Sequence, residues 1–456
     1  WSIGCARWFD SPPDWVPTSS FRSSLSAGLL TAFSVSDCVR SVGTNTLRSA
    51  RGAQECLTKA EAALGHPIET ISGIEEARLI YSGVSHSLAR SASRRLVLDI
   101  GGGSTALIIG SSTDPILMES LYLGCVSMSR QHFDDGEFTT QRWHKAELSA
   151  LQELEPLQSR YRRLGWGQAV GASGTVRSID TVVRLAGWSQ KGITPRALER
   201  LRDELLKAGN VQRLQLEGLN PARQAVFIGG AVVLYATFRA LGIESMQYSQ
   251  GALREGILYD LLGRIREDDL RTRTVKALAN RYHVDQEHAS NVERTAYRLL
   301  LEVADAWALG GASRQLISWA AHLHEIGLDI AHQQYHKHGQ YIVAASDLSG
   351  FSREEQTLLA TLVRGHRRKF SVALLKEFPS SQIRMMERLT ILLRLAVVLH
   401  RSRTPPPFPE LWIAVNKRSL ELTFPERWLD EHPLTRADLE QEGSYLEIAG
   451  YELELC

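Results

Sequence analysis

The sequence predicts an α/β chain that gives way to an all-helical region and ends in short strands. Three observations predict it. Between residues 41 and 263, strand-like apolar runs alternate with helix-like runs across Gly-rich turns. After Gly263 the charge-dense stretch RIREDDLRTRTVK leads into residues 273–402, which keep helical spacing nearly throughout. RSRTPPPFPE (401–410) then breaks the pattern, and LWIAVNKRSLELTFP and SYLEIAGYELEL alternate apolar with polar residues, as strands do.

Taken in order, SVGTNTLRSA reads as a strand end, a polar turn and a helix start, and residues 51–64 have helical spacing. PIETIS (67–72) is a short strand and GIEEARLIYSGVSHSL a helix. LVLDIGGGSTALIIG (96–110) is a hairpin around three glycines, and DPILMESLYLG supplies a third strand. Helix follows through about 144–164. QAVGASGTVRSIDTVVRLA (168–186) and MQYSQGALREGILYDLLG (246–263) are each strand, Gly turn and helix, and 223–242 is a long apolar helix between them. Residues 1–40 stand apart. WSIGCARWFDSPPDWVPTSS has neither a basic start nor an apolar signal core. It reads as the ragged start of a truncated or misread coding region, with a flexible arm as the alternative.

A chain of 456 residues has room for several domains of about 100–200 residues each. Its formal net charge of +1 provides no global field for nucleic acid, so attraction to a polyanion must come from local patches. Five cysteines, at 5, 38, 56, 125 and 456, include no CxxC pair. That argues against a disulfide framework or zinc finger and for a reducing, cytoplasmic compartment. No run of about 18 apolar residues occurs, which argues against a membrane-spanning helix.

Gly-rich turns at strand ends suit anions, because backbone N–H groups and a helix N-terminus face the ligand. Three are present: Gly101, Gly102 and Gly103 with Ser104 and Thr105; Ser173, Gly174 and Thr175; and a weaker one, SQGALREG (249–256). Asp99, ending an apolar strand, can hold Mg²⁺ through water. Arg48 opens a helix beside Thr44 and Thr46, where it can bind phosphate bidentately or lie exposed. Glu75 and Glu76 follow Ser72, a natural N-cap. They either cap the helix or supply a general base for in-line attack by water.

The segments GTNTLRSA, ETISGIEEARLIYSGV, LVLDIGGGST, GASGT and GALREGILYD, in this order, resemble the exopolyphosphatase / guanosine pentaphosphate phosphohydrolase family. LANRYHVDQEHA, WAAHLHEIGLDI and SDLSGFSREEQTLLATLVRGHRRK extend the resemblance towards the long bacterial exopolyphosphatases. It implies an actin-like (acetate/sugar kinase–Hsp70–actin) two-lobed ATPase-type fold, then an all-α HD-like domain and a small β-rich C-terminal domain. The divisions expected are 1–80, a truncated first lobe; 81–262, the second lobe; 263–400, helical; and 401–456.

The activity implied is hydrolysis of terminal phosphoanhydride bonds of inorganic polyphosphate with Mg²⁺. Residue by residue, Glu76 matches the catalytic Glu, Asp99 the metal-associated Asp, and Arg48 a phosphate-contacting Arg. Gly101 to Thr105, Ser173 to Thr175 and Arg254 match phosphate-binding positions. A homodimer is also implied, with a cytoplasmic location that extends to peripheral association at the inner face of the membrane.

Three departures stand out. No Asp-x-Gly-Ser-Asn loop occurs in residues 1–40, so the lobe's first strand is expected to be absent. Ala106 stands where the family usually has a Glu, and Gln250 where it often has Asp. The alternatives are therefore guanosine pentaphosphate as substrate, or a catalytically impaired polyphosphate-binding protein or truncated gene product.

In the helical region, His288, the pair His324-Glu325, and His336 and His338 resemble an HD phosphohydrolase site with Glu in place of Asp. The expectation is a vestigial, metal-free domain. Arg364, Arg367, Arg368 and Lys369, in RGHRRK, form either a solvated helix end or a track for a long polyanion.

Overall fold

Strand alternation decides which residues face which helices. The structure, a computed structural model, describes residues 30–35, 38–49, 53–89, 93–265, 269–370, 372–376, 378–403 and 409–456. The expectations for residues 1–29 and for the proline run 404–408 lie outside these. The chain divides into two compact units, Trp1–Asp268 and Asp269–Cys456.

The first unit contains two sheets. Strands β1 (Leu30–Val35), β2 (Cys38–Gly43) and β3 (Ile68–Thr70) form the smaller, in the order β1-β2-β3. β2 pairs antiparallel with β1 and parallel with β3, so both its edges are hydrogen-bonded. The larger sheet has β4 (Arg95–Ile100), β5 (Thr105–Ser111), β6 (Asp114–Leu121), β7 (Gln168–Gly171) and β8 (Met246–Tyr248), in the order β6-β5-β4-β7-β8. β6-β5-β4 is antiparallel, and β4-β7-β8 is parallel.

Along β4, Leu96, Leu98 and Ile100 join the core cluster that holds the helices Thr140–Leu164 and Gln224–Leu241. Val97 points the other way, into a cluster with Ala77, Ile80, Tyr81 and Val84 of the helix Gly73–Ser87. Because strand side chains alternate, Asp99 shares the Val97 face and looks toward the helix that carries Glu76. The stretch Pro221–Leu241 is long and apolar enough to cross a membrane. Its side chains from Phe227 onward are almost all buried in the α/β core, which accounts for that apolarity.

Helix Gly73–Ser87 lies against helix Leu253–Ile265 at backbone contact. A Cβ on Gly83 would strike the Ala252 carbonyl, and one on Gly256 the Leu79 carbonyl, so only glycine permits this approach. A buried charge network fixes the contact. Arg40 of β2 donates to Glu69 of β3 (2.9 and 3.1 Å) and to Asp260 (2.6 Å), while Arg78 bonds both Asp260 and Glu75. Arg264 adds a third cation to Asp260 at 3.1 Å.

Burial would raise the Asp260 carboxyl, but Arg78, Arg40 and Arg264 outweigh it and hold the group at about 2. A depressed carboxylate contributes stability that is complete above its ordinary value of 3.8 and is lost as pH falls through about 2. Asp260→Asn leaves Arg40 and Arg78 facing a neutral amide. It is expected to destabilise the unit by about 3–5 kcal/mol in denaturant titrations near neutral pH.

The second unit is built on the helices Leu270–Arg281, Gln286–Val303, Gly311–Leu323, Tyr335–Ala345, Arg353–Gly365 and Ser380–Leu399. Strands β9 (Trp412–Asn416), β10 (Ser419–Thr423) and β11 (Glu452–Leu455) form a sheet in the order β11-β10-β9. One sequence expectation needs correcting here. SYLE belongs to the helix Pro433–Glu447, not a strand, because Leu439, Glu442 and Leu446 are buried at helical spacing. The C-terminal strands also share one core with the helices, Leu411, Ile413, Leu420 and Leu422 lying among Leu299, Leu392 and Ala396. Fully buried Arg394 ties the parts together, donating to Glu442 (2.5 and 2.9 Å) and to the Gly365 and Arg368 carbonyls (2.7 and 2.5 Å).

Candidate active site

The site is assembled at the ends of β4 and β7 and at the starts of three helices. The turn after β4 is a hairpin in which Gly101 N–H donates to the Ser104 carbonyl at 2.8 Å. The carbonyls of Gly101 and Gly102 accept from Cys125, Val126 and Ser127 at the start of the helix Cys125–His132 (2.9–3.1 Å). With the carbonyls drawn to that side, no described hydrogen bond takes up the N–H groups of Gly102, Gly103 or Ser104. A side chain on Gly103 would meet the Asn45 amide and force it aside. Thr105 opens β5 directly after the turn. Its hydroxyl is fully buried and donates to the Leu123 carbonyl at 2.6 Å.

Ser173 caps the helix Gly174–Leu185, its Oγ accepting from Val176 N at 3.1 Å. The Thr175 hydroxyl packs on the Cys125 thiol. The cap uses Ser173 Oγ as an acceptor and leaves its O–H to donate, so the turn offers an anion that hydroxyl together with its backbone N–H groups and helix N-terminus. The guanidinium of Arg223 lies directly over Gly174, where a Cβ would clash with it. The sequence reading missed Arg223. Its signal was NPAR, where Asn220 Oδ1 accepts from Ala222 N at 2.9 Å and caps the short turn Pro221–Arg223. Arg254 and Arg177 both bring charge to Tyr248, as does Asp99, so the third glycine turn converges on the same region.

The two neighbouring glutamates have different fates. Glu75 is wholly buried and held bidentately by Arg78 at 2.8 Å. Glu76 points to Arg48 and Asp99. Its Oε2 lies 2.9 Å from Arg48 Nη1, but Arg48 directs that N–H at the Ile71 carbonyl (2.9 Å), so Oε2 is buried without an aligned donor. Burial pushes the Glu76 carboxyl up, against the pull of Arg48. Burial and then the charge of Glu76 push the Asp99 carboxyl up to about 7. Two facing carboxyls, Glu76 and Asp99, make an oxygen donor set that fits a hard divalent cation, and Arg48 beside them adds positive charge for a phosphate.

Ala106 pairs directly with Asp99 across the β4–β5 ladder. Paired residues project to the same face with Cβ atoms about 4.5–5.5 Å apart. Position 106 therefore adjoins the carboxyl pair and offers it no oxygen. Ala106→Glu is expected to lower the divalent-ion concentration needed for half-maximal activity by about tenfold or more, on the scale of groups that tune metal sites. An unchanged metal titration curve would contradict the placement.

Arg364, Arg367, Arg368 and Lys369 lie in the second unit and are brought together. With His336 and Phe370 they line a cavity of about 220 Å³. Arg367 stacks on Tyr335, 4.4 Å from the ring centre. None of the four makes an ion pair with a carboxylate among the described residues.

A sequence model of the Ppx/GppA phosphatase family matches residues 24–265, and one of Ppx/GppA phosphatase domain III matches 270–443. The chain belongs to the Ppx/GppA phosphatase family. It is accordingly a hydrolase of phosphoanhydride bonds. Similar proteins include a guanosine-5'-triphosphate,3'-diphosphate pyrophosphatase of Aeromonas hydrophila, 40% identical over 92% of this chain and 84% of that protein. One of the same name from Vibrio cholerae is 38% identical over 91% and 83%. Among solved structures, an exopolyphosphatase from Cytophaga hutchinsonii aligns over 48% of this chain and 73% of its own, with TM-score 0.44 and 22% identity.

Proposed function

We propose that this chain removes the terminal 5'-phosphate of guanosine 5'-triphosphate 3'-diphosphate, releasing orthophosphate. The observation that carries this reading is the identity of about 40%, sustained over nine-tenths of the chain, to relatives named for that substrate. It replaces the sequence preference for polyphosphate with what stood there as the alternative.

The chemistry follows from the side chains. Glu76, anionic beside Arg48 and raised by burial, takes a proton from the attacking water as its oxygen bonds the terminal phosphorus. The bond from that phosphorus to the bridging oxygen breaks, and the charge leaves with the shortened nucleotide. The N–H groups of Gly102, Gly103 and Ser104, with Arg48, Arg223 and Arg254, face the charge developing on the phosphoryl oxygens. Asp99 and Glu76 would hold Mg²⁺, which when bound neutralises phosphate charge and polarises the phosphoryl group. The two sheets of the first unit, with the closely packed helices Gly73–Ser87 and Leu253–Ile265, support an actin-like two-lobed arrangement. The HD-like character of the second unit, a homodimer, and a cytoplasmic or membrane-peripheral location belong to the same proposal and rest on the family resemblance.

Polyphosphate is the second reading, favoured by the basic cavity of the second unit. Initial rates of phosphate release from the two substrates, measured side by side, separate them. The expected kcat/KM is higher for the guanosine substrate, and a higher value for long polyphosphate would overturn the assignment. A polyphosphate affinity that barely changes with salt would remove the basic cavity from any role as a polyanion track.

A further inference from the structure

One side chain beside the phosphate turn has no part in the proposed phosphate chemistry. Tyr122 is 83% exposed, more than any other large hydrophobic side chain among the described residues. Its backbone is nonetheless fixed. Leu121, before it, pairs with Thr105 at the end of the β5–β6 ladder. Leu123, after it, accepts from the Thr105 hydroxyl at 2.6 Å. Gly124 then lies in backbone contact with Gly102 and Gly103, where a Cβ would strike both, and Cys125 N–H donates to the Gly101 carbonyl at 2.9 Å. Thr105 thus holds the residue on each side of Tyr122, and the tyrosine is carried on the same piece of backbone as the glycine turn.

Alternation sets where the ring points. Leu121 and Leu123 both pack on the core cluster that holds the helices Thr140–Leu164 and Gln224–Leu241. Tyr122, between them, projects to the opposite side of the sheet. That side carries Asp99, Ala106 and Ser120, which are in register across β4, β5 and β6. Ser120 already meets the helix of Glu76, since a Cβ on its first residue, Gly73, would strike the Ser120 hydroxyl. Tyr122 follows Ser120 on the same side, about 7 Å further along the strand direction, and stands at the rim.

We propose that Tyr122 is the platform on which the purine base of the substrate stacks, which rests on the guanosine reading above. A nucleoside 5'-triphosphate whose terminal phosphate lies on the N–H groups of Gly102, Gly103 and Ser104 carries its ribose and base outward, beyond two further phosphates. An aromatic face fixed at the rim meets that base at little entropic cost, because the backbone is pinned beforehand and tyrosine has few torsions to lose. An inorganic phosphate chain has no π-face and gains nothing from the ring. Tyr122 therefore separates nucleoside from inorganic substrates at the binding step and takes no part in bond breaking. It offers a face and no base-specific hydrogen bond, so it treats guanine and adenine alike.

The test is made on the full chain, at a position exposed enough for substitution to leave folding undisturbed. Tyr122→Ala is expected to raise KM for guanosine 5'-triphosphate 3'-diphosphate about tenfold with little change in kcat. The ratio of kcat/KM for that substrate to kcat/KM for inorganic polyphosphate should fall by the same factor, and Tyr122→Phe, which keeps the ring, should restore it. A ratio in Tyr122→Ala within about twofold of that of the unsubstituted chain would overturn the proposal, as would a Phe variant no better than the Ala variant. A higher kcat/KM on polyphosphate in the unsubstituted chain would overturn the guanosine assignment instead. Calorimetric binding of guanosine 5'-triphosphate then decides for Tyr122 by itself: affinity about tenfold weaker in the Ala variant and kept in the Phe variant supports the platform, and equal affinity in all three chains overturns it.

Discussion

Glu76→Gln is expected to lower kcat by about 10²–10⁴-fold while substrate still binds, because the amide keeps the shape of the side chain and loses its capacity to accept a proton. The neighbouring Glu75 cannot substitute, since Arg78 holds both its oxygens. Removing the Glu76 charge also relieves Asp99, which burial and Glu76 together push up to about 7. Melting temperature should accordingly be unchanged or raised as turnover collapses. Steady-state rates combined with calorimetric binding check both halves. A variant that retains turnover within tenfold would remove Glu76 from the role of base.

Asp99→Ala is expected to cost a similar factor, for a different reason. Its carboxyl adds an oxygen to the pair that fits a divalent ion, at the end of β4 where alternation turns it toward Glu76. Deleting it should raise the metal concentration for half-maximal activity by about 10–100-fold. Part of the lost rate should return at high Mg²⁺, which no amount of metal should do for Glu76→Gln. If Asp99→Ala leaves the metal requirement where it was, the ion is held elsewhere.

Much of the first unit was legible because its periods are clean. Apolar runs bounded by Gly-rich turns located the strands of the larger sheet, and GIEEARLIYSGVSHS announced a helix with Ser72 as its cap. The glycine turns were legible because few residues other than glycine tolerate such close approach. What escaped depends on partners far away in sequence. Nothing local shows that Arg40 meets Asp260, 220 residues on, or that Arg223 lies over Gly174. The tie from the Thr105 hydroxyl to the Leu123 carbonyl, 18 residues on, is likewise invisible in the local motif. The helix Pro433–Glu447 was hidden by an alternating stretch whose buried residues follow helical spacing instead. RGHRRK read as a linear track, but the helix ends at Gly365 and Arg368 adopts φ 66°, so the charges turn in on a cavity.

The central claim is that water, activated at Glu76, attacks the terminal phosphorus. A single turnover of guanosine 5'-triphosphate 3'-diphosphate in ¹⁸O-labelled water tests it most directly. The account predicts one labelled oxygen in the released orthophosphate and none in the nucleotide product. Label in the nucleotide, or a released diphosphate in place of orthophosphate, would contradict it.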